Sequence, residues 1–547
     1  MRPASSKAAP SSAGSALHTR RLAWLGLPDT RWGWAVLGLT VCALAGYAFM
    51  QVVTTPFSHD EHQFVASAAL VADGLVPYRD FPLLHMPYLP YLDALAMLVM
   101  SSPTMAARLV SGLASFGSLL MVTTLAWAAW GHEPWWQRYL AGVGAVTAVG
   151  LSPLYLETSG QAWNHDIPVF LVGLACLAFL WRSRAGEPRG RPFLSGAMLG
   201  LAAGVRLTFM VSVVPLLAAV WLLEPERRAA ARQSAGLLLG FAFALIPAAA
   251  TFLLAPRAFI FGNLIYPRLN TIYRRALEHG EAMDLPGKLR YVAEVVAPAP
   301  IHLIVAIAAI GTLVIVIQRQ RLEPTLASRI SLLSFGVAAS LFVGSLAPTP
   351  SWYQYYYAPW PFLTLAVVSG TACFPWRRLR SRMSMTWVPI LMVAGLPAVW
   401  PVLSDRGSAL VEGRWIPQQI HQAGLRMARR VPLAGAVLTL APILPLEGGL
   451  KIYPEFADGP FTWRVAELLS PEVAESYGIL HPQALDRLVA ERPPHALLTG
   501  AERGHEGFVG GQPFGLEQPL IDYAAARGLL AEKVPTPFLE RDLTLWR

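Results

Sequence analysis

The sequence predicts a polytopic α-helical membrane protein that carries a small α/β domain at its C-terminal end. Of its 547 residues, 54% are hydrophobic and only 14% are charged, whereas soluble globular domains carry about 25% charged residues. The hydrophobic residues gather in runs of about 15 to 25 residues, and about 20 helical residues cross the hydrocarbon layer of a bilayer. This composition excludes an ordinary soluble enzyme.

Eleven of these runs are predicted to be transmembrane helices. The first is predicted to be a retained signal anchor, because it is too long for the apolar region of a signal peptide and lacks a cleavage-site signature. The runs cover residues 32–54, 105–130, 138–155, 164–181, 193–206, 209–223, 234–255, 301–317, 330–347, 355–374 and 385–403.

A twelfth apolar segment, residues 83–100, decides the side of the membrane on which every later loop lies. Three prolines, a histidine and an aspartate interrupt it. If it does not cross, the short loops assigned to the cytoplasm hold 20 of the 43 basic residues but only 6 of the 34 acidic ones, as the positive-inside rule requires. If it crossed, the arginines at 377–382 would face outward. We therefore predict that it lies on the outer surface as a juxtamembrane amphipathic helix.

The net charge of +9 has the same explanation, because the excess of basic residues sits in the predicted cytoplasmic loops. Nucleic acid is therefore not an expected partner. Cys42, Cys176 and Cys373 fall inside apolar runs, which leaves no disulfide framework and no CxxC metal site. The histidines are too scattered for a zinc site, and the sequence has no Walker or GxGxxG loop for ATP or NAD.

This topology places an N-terminal tail, residues 1–31, in the cytoplasm and residues 404–547, the C-terminal domain, outside it. The other outward segments are the first outer loop, residues 55–104, a short second loop at 156–163 and a third loop at 257–300. The C-terminal domain has 14 basic and 17 acidic residues. Apolar runs at 435–440 and 496–499 alternate there with helix-like stretches at 417–430 and 482–491, which predicts an α/β fold.

Asp60 and Glu61 follow the first membrane exit, with His59 and His62 on either side. Two adjacent carboxylates suit acid/base chemistry, because a low-dielectric surrounding raises the pKa of one while hydrogen bonds keep the other ionised. The alternative is a solvated loop that opens a helix, with Asp60 or Ser58 as its N-cap.

Asp166 and Arg206 lie at the ends of predicted spans. An ionisable residue such as Asp166 inside a span is a functional candidate, although it could equally cap a helix that has Pro168 in its first turn. Arg206 stands where two short spans meet, and it could pair with Asp166, bind a ligand phosphate, or extend to the interface without a ligand.

A dense aromatic run at residues 352–361 opens the tenth predicted span. Aromatic residues at the membrane interface explain most such runs. The three consecutive tyrosines Tyr355, Tyr356 and Tyr357 could also donate hydroxyl groups to a phosphate or stack on a sugar.

The order and placement of these residues resemble the dolichyl-phosphate-mannose protein mannosyltransferase superfamily. Its bacterial members include the aminoarabinose transferases of lipid A and family 39-like enzymes, which have the GT-C fold. The resemblance covers roughly residues 32–374. It rests on Asp60-Glu61, the Pro-Tyr-x-Asp-Phe phrase at 77–81, His85-x-Pro87, Arg108, the phrase at 151–154, Asp166, Gly204-x-Arg206-x-Thr208 and Tyr357-x-Pro359-x-Pro361.

The resemblance implies a multi-pass enzyme of the inner (plasma) membrane. It would transfer one sugar, with inversion, from a polyprenyl-phosphate donor to a glycan, lipid or protein acceptor on the outer face. Asp60 would be the general base toward the acceptor hydroxyl, and Glu61 would position acceptor or donor. The donor phosphate would be held by His85, Arg108, Arg206 and Tyr357.

The resemblance also assigns a catalytic role to Asp166, which matches the acidic residue of the family's second loop only loosely. Asn164 and His165 stand where the family has an Arg-x-Asp phrase. Three carboxylates could hold a divalent metal, yet the resemblance implies an enzyme that works without a metal or other cofactor.

Two other classes of protein fit part of the sequence. A transporter or flippase of lipid-linked sugars would also be polytopic, but it would need charged residues near the bilayer midplane and interrupted helices in both halves. The ionisable residues here gather at the outer rim, which favours transfer. A non-enzymatic assembly or sensor protein would work through the C-terminal domain, where only the polar stretch 502–506 suggests a contact with a partner or acceptor.

Overall fold

A computed structural model describes residues 30–180, 191–277, 283–322, 324–432, 435–502, 506–509, 512–539 and 542–547. Most of the predicted cytoplasmic tail, residues 1–29, and most of the predicted loop at 182–192 lie outside these described residues. The helices up to residue 411 are α1 (Arg31–Thr54), α2 (Glu61–Ala72), α3 (Tyr88–Met97), α4 (Pro103–Ala129), α5 (Trp135–Gly150), α6 (Pro153–Thr158), α7 (Asp166–Leu180), α8 (Arg191–Val205), α9 (Val213–Leu223), α10 (Arg227–Ala244), α11 (Ile246–Leu254), α12 (Pro256–Ile260), α13 (Tyr266–Ala276), α14 (Leu285–Val296), α15 (Pro300–Leu322), α16 (Leu326–Leu346), α17 (Trp360–Thr371) and α18 (Arg377–Val411).

Each of the eleven predicted spans coincides with helix in the structure. By length and composition, α1, α4, α15, α16 and α18 can cross a membrane, and α10 with α11 makes a sixth span if this pair, bent by 42°, is one. Prolines interrupt some of the runs: Pro153 restarts the helix after α5, and Pro247 stands at the start of α11. The total of eleven spans therefore stays a prediction.

Large apolar side chains project from the outside of the bundle. Leu222 is 83% exposed, Ile310 72% and Val393 77%. Exposed apolar surface is unfavourable in water by about 25 cal/mol per Å², so this surface suits hydrocarbon.

The loops of the bundle meet in two groups. α4 begins beside the C-terminal domain, where the backbone N–H of Thr104 donates to Glu447 at 2.7 Å. The helix is 27 residues long and ends close to Glu133, which pairs with Arg380 at 3.0 Å. The predicted cytoplasmic segments 132–138 and 376–384 thus meet at one end and the first outer loop meets the C-terminal domain at the other. Which end faces the cytoplasm stays a prediction.

Helix α3 of the first outer loop is too short to cross a bilayer. Its 10 residues span about 15 Å, half of a hydrocarbon layer of about 30 Å. Asp93 and Leu89 are buried on one face, whereas Leu95 and the following Leu98 are 63% and 69% exposed. This geometry agrees with the predicted surface helix.

Helix α18 continues past residue 404, the predicted start of the C-terminal domain, to Val411, so the domain boundary stays a prediction. Arg406 in this part of the helix is buried and donates to Gln51 and to the carbonyl of Leu156. The domain's own elements are α19 (Ile416–Ala428), β1 (Ala436–Thr439), α20 (Ile443–Glu447), β2 (Lys451–Ile452), α21 (Pro460–Ala466), α22 (Pro471–Ser476), α23 (Leu485–Glu491), β3 (Ala496–Thr499), β4 (Glu506–Val509), β5 (Gln512–Gly515), α24 (Gln518–Ala526), β6 (Ala531–Val534) and β7 (Leu543–Trp546).

Five of these strands form one mixed sheet in the order β2-β1-β3-β7-β6, and β4 and β5 form a separate hairpin. β1 is parallel to β2 and β3, and β7 is antiparallel to β3 and β6. The apolar cluster on one side of the domain includes Val65, Ala107 and Ala162. The domain therefore shares a core with the first and second outer loops.

Candidate functional site

Glu61 and Arg108 form a fully buried ion pair. Arg108 Nε and Nη2 donate to the two carboxylate oxygens of Glu61 at 2.7 and 2.6 Å, and both side chains are 0% exposed. The other N–H groups of Arg108 donate to the carbonyls of Val52, Thr55 and Pro56. All five guanidinium donors are thus used, so in this structure Arg108 has none left for the predicted donor phosphate.

The carboxylate oxygens of Glu61 are also fully engaged in hydrogen bonds. Its carboxylate also accepts from the backbone N–H of Ser58 and of Ala162, both at 3.0 Å. The first outer loop at this point is not the solvated loop of the alternative interpretation. Glu61 joins the first loop, the second loop and α4, and it holds the start of α2 in place.

Asp166 and Tyr357 form a second buried contact. The hydroxyl of Tyr357 donates to Asp166 Oδ1 at 2.8 Å, and the backbone N–H of Gly160 donates to Oδ2 at 2.9 Å. Gly160 has a φ of +81°, and a Cβ there would lie 2.8 Å from the backbone of Gln51. Asp166 therefore fixes a tight turn of the second loop, and Tyr357 is directed at Asp166 instead of at an open site.

We expect Tyr357→Phe to lower the free energy of unfolding by about 1–3 kcal/mol, because Asp166 loses a partner in a buried setting. Thermal unfolding of the purified protein measures this change. Tyr91→Phe is the control, since Tyr91 is 39% exposed. Unchanged stability together with weaker binding of a lipid phosphate would instead make Tyr357 a phosphate ligand, as the sequence predicted.

Asp60 differs from these buried pairs because its side chain is partly exposed to solvent. It precedes α2 and makes no side-chain capping hydrogen bond, and its side chain is 39% exposed. Burial within the protein would raise the pKa of Asp60, but His59, Arg464 and His85 hold it below its ordinary value. Asp60 is therefore a carboxylate at neutral pH.

His85 and Arg206 lie close enough to Asp60 for their charges to interact. Burial and the neighbouring Arg206 lower the pKa of His85 to about 4, so its imidazole is neutral at pH 7. The ring stacks on Phe64 with centroids 5.0 Å apart. Of the seven predicted site residues, Asp60, His85 and Arg206 thus lie within electrostatic range of one another.

Arg206 is held by the second loop but not by Asp166, with which the sequence suggested a pair. Its Nη1 donates to Asn164 Oδ1 at 3.1 Å and contacts the ring of His165 at 2.8 Å. Its guanidinium lies 4.9 Å from the ring centroid of Tyr355. Asn164 and His165, which depart from the family phrase, therefore orient this arginine.

A narrow recess lies beside Arg206. Its walls combine polar groups with the apolar surface of the helix bundle. They are formed by His165, Arg206, Thr208, Phe209, Leu341, Gly344, Ser345, Tyr355 and Ala358.

The C-terminal domain contributes a cation that the sequence did not predict. Arg464 is 8% exposed, its Nη2 donates to Tyr266 at 3.0 Å and to Asn270 at 2.8 Å, and its guanidinium lies 4.6 Å from the ring centroid of Phe461. Its charge interacts with that of Asp60. Arg464 lies in a stretch with no recognisable motif, so no local signal marks it.

Tyr355 was one of the three tyrosines noted in the aromatic run, but Tyr357 was chosen from them as the predicted phosphate ligand. The run forms a 3-10 turn at Tyr353–Tyr357, which directs Tyr355 and Tyr357 to different partners. Tyr355 contacts Arg206, and Tyr357 contacts Asp166. The sequence gives no means of choosing between neighbours in such a turn.

The arrangement suits proton abstraction beside an anionic group. An ionised carboxylate can accept a proton, while the Arg206 guanidinium and a neutral imidazole can bind oxygen atoms that gain negative charge. Within the described residues, no group of three or more His, Cys, Asp and Glu side chains is placed to hold a metal ion.

Neither a protein-family model nor a protein of curated function matches the sequence. Among solved structures, ArnT from Cupriavidus metallidurans in the apo state is similar, with a TM-score of 0.55 and 13% identity over 94% of this chain and 97% of that chain. ArnT bound to undecaprenyl phosphate gives a TM-score of 0.50 and 14% identity over 94% and 98%. The chain therefore has the GT-C fold, and the predicted fold type is confirmed.

Proposed function

We propose that this protein is an integral membrane glycosyltransferase that moves a sugar from a polyprenyl-phosphate donor to an acceptor on the outer face of the membrane. The observation that carries this proposal is that the partly exposed carboxylate of Asp60 lies within electrostatic range of Arg206 and His85, at the bundle end that holds the C-terminal domain. The GT-C fold adds support, because ArnT, which shares it, was crystallised with undecaprenyl phosphate.

In the proposed reaction, the acceptor oxygen bonds to the anomeric carbon of the sugar while the bond from that carbon to the phosphate oxygen breaks. The electron pair leaves on the phosphate, and the acceptor proton goes to Asp60. A carboxylate of low pKa can serve as base here, because the hydroxyl becomes acidic as its bond to carbon forms.

Arg206 and His85 would stabilise the charge that develops on the leaving phosphate. The recess beside Arg206 lies against the membrane helices, so a donor could present its head group there while its chain stays in the lipid. Glu61 and Arg108 would position Asp60, and Asp166 with Tyr357 would position the second loop. The acceptor would enter from the C-terminal domain, which we place outside the cytoplasm. The ionisable groups of this site lie at one end of the bundle, which supports transfer more than translocation.

The function is tested with membranes of a strain that lacks this protein, since they hold both donor and acceptor. Adding the purified protein should restore a glycoconjugate detected by mass spectrometry and release polyprenyl phosphate. Restoration without release of polyprenyl phosphate would contradict the proposed donor.

We expect Arg206→Ala to weaken binding of undecaprenyl phosphate by about tenfold or more, since a charge-assisted contact is worth about 1.5–3 kcal/mol. Binding is measured on the purified protein in lipid nanodiscs. Arg257→Ala is the matched control, because Arg257 is an exposed arginine at the start of the third loop.

Arg206→Lys should bind with intermediate affinity, because it keeps the charge but not the planar donors. Equal affinity of the wild-type protein and Arg206→Ala would remove Arg206 from the phosphate site.

A further inference from the structure

The C-terminal domain contacts the first outer loop through the imidazole of His59, which lies between the carboxylates of Glu502 and Asp60. Nε2 of His59 lies 2.5 Å from Glu502 Oε1, and Nδ1 of the same ring lies 3.9 Å from Asp60 Oδ1. Glu502 follows strand β3 and is 2% exposed, whereas His59 is 37% exposed. The ring of Phe461 meets the His59 ring edge-on, with centroids 5.1 Å apart.

The charged and titratable groups around this contact come from four elements. Apart from Glu502 and Asp60, they are His62 on α2, His85 before α3, Arg464 on α21 and Glu517 before α24. His62 is neutral, because burial and the neighbouring His59 lower its pKa to about 3. Burial would also lower the pKa of His59, but Glu502 and Asp60 outweigh it and raise that pKa to about 9.

We propose that Glu502 is a positioning residue of the catalytic centre, which binds Nε2 of His59 and so turns Nδ1 toward Asp60. The role in catalysis rests on the proposed function, whereas the contact itself can be tested without it. The C-terminal domain would then set the orientation and charge of the group beside the base. Loss of the Glu502 carboxylate would leave a neutral imidazole next to Asp60 at neutral pH.

This role can be separated from simple attachment of the domain. Glu447 accepts from Ser102 Oγ at 3.1 Å and from the backbone N–H of Thr104 at 2.7 Å, and an apolar cluster spans the same interface. The domain therefore keeps its contacts with the loop when Glu502 changes. His421, which lies 2.7 Å from Glu447 Oε2, forms a histidine–glutamate pair of the same chemistry outside the site. His421→Gln is thus a matched control.

The first experiment measures the protonation of His59 directly. Diethyl pyrocarbonate modifies neutral imidazoles, and peptide mass spectrometry of the full-length purified protein gives the rate for each histidine. At pH 7.5, Glu502→Gln should raise the rate at His59 by about tenfold or more, since each unit of pKa changes the neutral fraction about tenfold in this range. His421→Gln should leave the rate at His59 unchanged, and Glu502→Asp should restore most of the protection.

The second experiment measures transfer against pH in the deletion-strain membranes. Glu502→Gln should lower kcat about tenfold at pH 8 with KM within twofold of the wild-type value. The pH range over which Glu502→Gln transfers sugar should become narrower. Its acidic limit should rise, because the pKa of Asp60 is higher beside a neutral ring, and its alkaline limit should fall, because His59 loses its proton at lower pH. His421→Gln should show the wild-type profile.

The outcomes separate this inference from the proposed function. Unchanged reactivity of His59 in Glu502→Gln, or a wild-type pH profile for that variant, would overturn the positioning role and leave the transferase proposal intact. Absence of transfer by the wild-type protein would overturn the function, while the reactivity of His59 would still report the contact. If Glu502→Gln does not fold, His59→Gln carries the transfer comparison: its kcat should fall at pH 8, whereas Glu502→Asp should keep the wild-type pH profile, and a wild-type profile for His59→Gln would overturn the positioning role.

Discussion

Asp60→Asn is expected to reduce the transfer rate by about 10²- to 10⁴-fold, the range that a positioned general base contributes. The variant loses the proton acceptor but keeps the shape of the side chain. The fold should persist, because Asp60 is 39% exposed and makes no capping hydrogen bond. Transfer in deletion-strain membranes and thermal unfolding of the purified variant measure the two effects separately.

The control for this variant is Asp73→Asn. Asp73 is an exposed aspartate at the opposite end of α2, in the same outer loop. The Asp73→Asn variant should transfer sugar at the wild-type rate. Turnover by Asp60→Asn above about a tenth of the wild-type rate would exclude Asp60 as the base and would move attention to the other carboxylates.

Arg108→Met is expected to lower the free energy of unfolding by about 3–5 kcal/mol, because it leaves the Glu61 carboxylate buried without its partner. Three backbone carbonyls also lose their donor. The apparent unfolding temperature and the yield of folded protein in detergent measure the loss. Arg414→Met is the control, since Arg414 is 49% exposed.

The double variant Glu61→Leu with Arg108→Met tells a structural pair from a ligand-binding arginine. Removing both charges together should recover a large part of the stability, because no unpaired ion remains. If Arg108→Met instead folds normally and loses undecaprenyl phosphate binding, Arg108 contacts the phosphate and the pair opens when the donor binds.

Hydropathy and charge sufficed to locate the helices, because a membrane allows few backbone arrangements and marks them with long apolar runs. The helix α3 also coincides with an apolar run of the sequence, and its place on the outer surface stays a prediction that rests on the basic loops. The strands β1 and β3 also coincide with apolar runs noted in the sequence. These features depend on neighbouring residues, which a single sequence displays directly.

The roles of individual site residues were less accessible. Glu61 meets Arg108 from 47 positions away, Asp166 meets Tyr357 from 191 and His59 meets Glu502 from 443. Such contacts depend on how helices pack, which no local pattern records. Motif order could therefore single out Asp60 and Glu61 together, but only the packing shows that Asp60 is partly exposed and Glu61 is fully buried.

Helix α18 limits the movement of the C-terminal domain relative to the helix bundle. Its 35 residues, which include Pro389, Pro397 and Pro401, extend over about 52 Å at 1.5 Å per residue, and only four residues separate it from α19. Arg406, near the C-terminal end of this helix, donates hydrogen bonds to Gln51 in the first helix and to the carbonyl of Leu156 in the second loop. The C-terminal domain is thus joined to the bundle by a short connection beside a buried side-chain contact, which limits how far Glu502 can move relative to His59 in the first outer loop.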